Sequence, residues 1–123
     1  MTYQVADGHN NAAGYADIDP QPASDGIQTP RRSYTASGVY DDGRQYIVLR
    51  WNVLTDTELT TVLTAFGLAD AITNEVTVSV PGEFNRTFVD KNGTAVRPHS
   101  PELGYRDWYN DIEIRVIDLE DTA

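Results

Sequence analysis

The sequence predicts a mainly β protein, an antiparallel β-sandwich or split barrel with one flanking α-helix and an extended amino-terminal arm. Three observations carry this. From Arg31 onward, short stretches that alternate apolar and polar side chains recur between turn residues. A single helix-start signature, Thr55-Asp56-Thr57-Glu58, stands among them. Residues 1–30 are broken by Gly8, Gly14, Pro20, Pro22, Gly26 and Pro30 into pieces too short for a helix. The expected division is residues 1–30 as the arm and residues 31–123 as the β domain, with its helix near 56–66.

The arm holds Asp7, Asp17, Asp19 and Asp25 and no Lys or Arg. Tyr3, Val5, Tyr15, Ile18 and Ile27 lie too far apart for a helix face. That spacing suits an extended segment placing isolated apolar side chains into pockets, and the competing reading is a terminus that touches nothing. Arg31-Arg32, the only adjacent basic pair, marks the junction with the domain. It either docks an acidic neighbour or fixes the arm's exit against nearby Asp. The expected partner-binding residues are thus Tyr3, Tyr15, Ile18, Ile27, Arg31 and Arg32.

In the domain, 34–40 reads as a strand and Asp41-Asp42-Gly43 as the turn joining it to the next. Over 45–54 the alternation puts Ile47, Leu49, Trp51 and Val53 on the core face and Tyr46, Val48, Arg50 and Asn52 on the other. Thr55 and Glu58 form a capping box. Leu59, Val62, Leu63 and Phe66 then make one apolar stripe, and Gly67 supplies the left-handed stop. Strands follow at 75–80, closed by Pro81-Gly82, and at 84–89 and 94–97 around Asp90-Lys91-Asn92-Gly93, read as a hairpin turn. Pro98, Ser100 and Pro101 mark a loop. The last strand, 109–119, points Ile112, Ile114 and Val116 one way and Asp111, Glu113 and Arg115 the other, and belongs inside the sheet. The expected core is Trp51, Leu59, Leu63, Phe66, Val78, Ile112 and Ile114.

Composition narrows the function. With 9 Lys and Arg against 19 Asp and Glu in 123 residues, the chain carries a formal charge of −10. Polyanions and anionic membranes select for the basic residues it lacks, so neither specific nucleic-acid binding nor membrane binding is expected. There is no cysteine, hence no disulfide framework and no thiolate site. Met1 to Gly14 has no basic or apolar leader pattern and no stretch approaches the roughly 18 apolar residues of a membrane span, which predicts a non-secreted, non-membrane protein.

Chemistry-bearing patterns are sparse. His9 and His99 have no acidic residue spaced to orient them, no strand-to-helix nucleophile elbow occurs, and no metal-ligand or Gly-rich phosphate motif appears. No catalytic residue, metal or cofactor is expected, and the chain reads as non-enzymatic. Asn85-Arg86-Thr87 and Asn92-Gly93-Thr94 match the glycosylation pattern but lack a secretory context. Tyr105, Arg106, Trp108 and Tyr109 form an aromatic cluster that could be an interface, stack on sugars, or close the end of the barrel.

The order of these motifs resembles small structural proteins of tailed-bacteriophage virions. The likeness runs from Tyr34 through Val39-Tyr40-Asp41-Asp42-Gly43, Trp51, Leu54, Leu59, Leu63 and Phe66-Gly67-Leu68. It continues in Val76-Thr77-Val78, Thr87-Phe88, Asn92-Gly93, Val96-Arg97-Pro98 and Tyr105-Arg106-Asp107-Trp108-Tyr109 before Ile112, Ile114 and Val116. It covers about residues 33–119. It implies a tail-tube, distal-tail or baseplate type of protein, a β-sandwich or split barrel whose rings join sheets between subunits, with no catalytic residue to carry over. Self-association and other virion proteins are the implied partners, and the virion, assembled in the host cytoplasm, the implied location. No long hairpin for stacking rings is evident in the sequence, while an arm is. A capsid decoration protein gripping the shell with that arm is therefore an alternative, and a carbohydrate-binding module using Tyr105, Trp108 and Tyr109 is a second.

Overall fold

A computed structural model describes residues 2–29, 32–35, 38–41, 44–82, 87–98 and 108–123, with the backbone alone for 32–35 and 38–41. The described strands are β1 (Gln4–Asp7), β2 (Ala16–Asp17), β3 (Arg32–Thr35), β4 (Gly38–Asp41), β5 (Gln45–Thr55), β6 (Thr73–Pro81), β7 (Phe88–Val96) and β8 (Trp108–Asp121); the helix is α1 (Asp56–Ala65). Six strands form one curled antiparallel sheet, a half-barrel, in the order β2-β1-β6-β7-β8-β5, and among the described residues β3 pairs only with β4. The mainly β fold with one helix is as the sequence predicts.

The helix follows from local chemistry. Thr55 Oγ1 accepts from the Glu58 amide at 3.2 Å and Glu58 Oε1 accepts from the Thr55 amide at 3.0 Å, so both halves of the capping box form. Leu54 before the cap and Leu59 four residues after it are both buried, the arrangement of a hydrophobic staple. Gly67 ends the helix at φ 71°, and the Asn74 side chain donates to the Phe66 carbonyl at 3.0 Å. Leu59, Val62, Leu63 and Phe66 face inward against Ile47, Leu49, Trp51, Val78, Ile112, Ile114 and Val116. All seven core residues expected from the sequence are buried.

Residues 4–28 are not an arm apart from the domain, and here the expectation is corrected. β1 pairs with β6 from Gln4↔Ser79 to Asp7↔Val76, and β2 pairs back on β1. The chain then crosses to the opposite edge of the sheet, where Ala23 bridges Arg50 and Gln28 bridges Tyr46 on β5. Trp51 Nε1 donates to the Pro20 carbonyl at 2.7 Å on the way. Residues 16–28 thus touch both edges of the half-barrel and strap it shut, covering edges that would otherwise offer open backbone groups. Val5, Ile18 and Ile27 enter the core at 2%, 0% and 4% exposure. Their wide spacing does mark side chains that fill pockets, but the pockets are the chain's own.

Three smaller expectations also change. Residues 34–40 are not one strand: Tyr34 pairs with Val39 and Thr35 with Gly38, so the hairpin lies within 32–41, and Asp42-Gly43 falls outside the described residues. Asp90-Lys91-Asn92-Gly93 is not a turn but the middle of β7, whose ladder with β6 is continuous from Thr73↔Val96 to Pro81↔Phe88. The β6–β7 connection runs instead through 83–86, outside the described residues, closed by the Gly82 amide donating to the Thr87 carbonyl at 2.7 Å. Finally, Val53 is 47% exposed and Leu54 takes the core position, because the end of β5 is committed to the staple that starts α1.

Candidate functional site

The predicted partner-binding residues do not converge. Tyr3 packs edge-on against Phe88, ring centroids 5.4 Å apart, and its backbone exchanges hydrogen bonds with the Gln21 side chain. Tyr15 donates its hydroxyl to Asp90 at 2.9 Å. Burial first, then that hydrogen bond and the carboxylate charge, push its phenol above the ordinary value. Ile18 and Ile27 are core. Arg31 lies outside the described residues, and Arg32 opens β3, paired with Asp41 across the hairpin. Of the aromatic cluster, Tyr105 and Arg106 lie outside the described residues; Trp108 is 46% exposed and Tyr109 is half-buried against the core.

Two parts of the outer surface of the sheet contrast. Over β6 and β7 it is covered by the loop at 8–15. Thr77 Oγ1 donates to the Gly8 carbonyl at 2.7 Å and accepts from the Asn11 amide at 3.0 Å. Asn92 exchanges hydrogen bonds with Asn10, both at 2.8 Å, and His9 Nε2 donates to the Gly93 carbonyl at 3.1 Å. No buried side-chain polar atom among the described residues lacks a partner, and this network fastens the loop to the sheet. His9 is spent there; His99 lies outside the described residues.

Over β5 and β8 the outer surface is open and charged. Antiparallel register sets Arg50 opposite Glu113 and Val48 opposite Arg115, and β7 sets Val96 opposite Arg115 from the other side. Two shallow grooves, of about 310 and 240 Å³, meet at Glu113 and Arg115. Asp25 holds Arg50 at 2.7 Å, while Glu113 and Arg115 have no ion-pair partner among the described residues. The signal for this surface was present in the alternation of β5 and β8. What the sequence lacked was the adjacency of those two strands.

At the far end of β8, Lys91 Nζ lies 2.5 Å from Asp121, and Arg44 pairs with Glu120. The hydrogen bond and charge of Lys91 hold the Asp121 carboxyl below the usual carboxylate range. No group of three His, Asp or Glu among the described residues could hold a metal ion, and no described helix is long and apolar enough to cross a membrane.

Against protein-family models, curated proteins and solved structures alike, the chain finds no match.

Proposed function

We propose that the chain is a non-enzymatic structural subunit of a tailed-bacteriophage virion, a tail or baseplate component that assembles into rings. The observation that carries this reading is the β3–β4 hairpin. It pairs with itself and stands outside a half-barrel that the rest of the chain already strap-closes. A hairpin with no place in its own sheet is an element available to a neighbouring subunit. The decoration-protein alternative drew on a free arm, and residues 4–28 are instead held by the chain's own sheet and core.

The test removes the hairpin alone. Gln28 and Tyr46 are bridged and Gln45 Nε2 donates to Thr29 at 3.3 Å, so a two-residue Asn-Gly turn can replace residues 30–44 without moving β5. Negative-stain images of the full chain should show rings, and the excised variant should remain folded but form none. A full chain without rings at any concentration sinks the reading.

Exposed Trp108 favours one other reading, a carbohydrate-binding module. Titration with sugars would then quench Trp108 fluorescence, whereas a ring subunit shows no such response.

A further inference from the structure

We infer that the open outer surface of β5 and β8 is a self-complementary docking face, on which two copies of this chain pair about a two-fold axis. The argument begins with charge. At −10, two copies repel over most of their surface. On this face, however, Arg50, Arg97 and Arg115 are matched by Asp25, Asp111 and Glu113, all lining the two adjoining grooves. Here copies approach without net repulsion.

The order of charges then fixes the partner. Glu113 and Arg115 stand two residues apart on one strand, on the same face, and both are exposed. A two-fold axis lying in the interface and crossing β8 at Ile114 reverses that order in the second copy. Glu113 of each chain then meets Arg115 of the other, giving two equivalent ion pairs from one operation. Half-buried Val48 and Val96 flank Arg115 on either side, while Glu113 stands opposite Arg50, whose guanidinium Asp25 already holds. An unrelated acidic or basic partner would satisfy only one residue of the pair and leave the other opposed.

This contact is independent of the hairpin and of the virion reading. The test uses full-length chains in sedimentation equilibrium at low ionic strength. The native chain should show association that weakens with added salt. E113R sets Arg against Arg115, and R115E sets Glu against Glu113, so each alone should associate about a hundredfold more weakly. Mixed, the two variants should form a one-to-one complex, because each then meets its opposite. The double variant E113R/R115E should associate like the native chain. Circular dichroism of each variant controls for folding, which these exposed positions should not disturb. Single variants that associate normally, or a mixture that stays apart, would overturn the inference. Rings that persist in the single variants leave the virion reading standing, and rings lost only on hairpin removal leave the face intact.

Discussion

At Gly93 a turn signal in the sequence hides a different requirement. β8 carries an extra residue here, since Asn92 pairs with Glu120 while Thr94 pairs with Ile117, and Asp118 takes φ 54°. A β-carbon on Gly93 would sit 2.6 Å from Val116 Cγ1, 2.8 Å from Leu119 Cδ2 and 3.1 Å from the Ile117 carbonyl. The glycine admits the close approach of a bulged strand, a role that Asn-Gly composition cannot distinguish from a hairpin turn. Gly93→Ala should therefore destabilise the fold by about 1–3 kcal/mol, the usual cost of overpacking, read as a lower urea midpoint. Tyr15 sets a pH limit. Its phenol is raised in the folded chain, so its contribution is complete below the unfolded value of about 10 and is lost as pH climbs toward the folded one. Tyr15→Phe should remove part of the alkaline loss of stability, read as a shallower fall of the urea midpoint as pH rises above about 10.

Among the elements, α1, β6 and β8 were legible because their signals are local: a cap, a stripe, an alternation, each contained within a dozen residues. β1, β2 and the strap were not. Nothing near Val5, Ile18 or Ile27 marks them as core, because their neighbours, Val78 across β6 among them, lie far away in the chain. The two excisions that this organisation separates should behave oppositely. Removing residues 1–28 deletes Val5, Ile18 and Ile27, each worth about 1.5–3 kcal/mol by burial. It also uncovers the β5 edge at Tyr46 and Arg50 and the β6 edge from Val76 to Ser79. Against a total stability of about 5–15 kcal/mol that loss should leave the chain unfolded or aggregated. Removing the hairpin should leave the thermal transition of the half-barrel in place. Differential scanning calorimetry of the two variants distinguishes a structural strap from a dispensable tail, and a cooperative transition in the 1–28 deletion would contradict the strap.

Across the whole molecule, the candidate docking face shows where sequence reading stops. The charges of β5 and β8 were plain in each strand, but β8 inserts between β7 and β5, and that neighbourhood is a property of topology alone. The strap has a further consequence for how the chain is made. Synthesis delivers β1 well before its ladder partner β6, which begins at Thr73, and the β5 edge on which the strap closes gains its other neighbour, β8, only after β7 has been made. Long-range pairings of this kind cannot reward the chain until both partners exist. Residues 4–28 thus emerge before the strands they pair with and settle only after them. Ile18 and Ile27 remain exposed until β5 and β6 have been made, and the acidic residues around them, Asp17, Asp19 and Asp25, keep that waiting segment in solution.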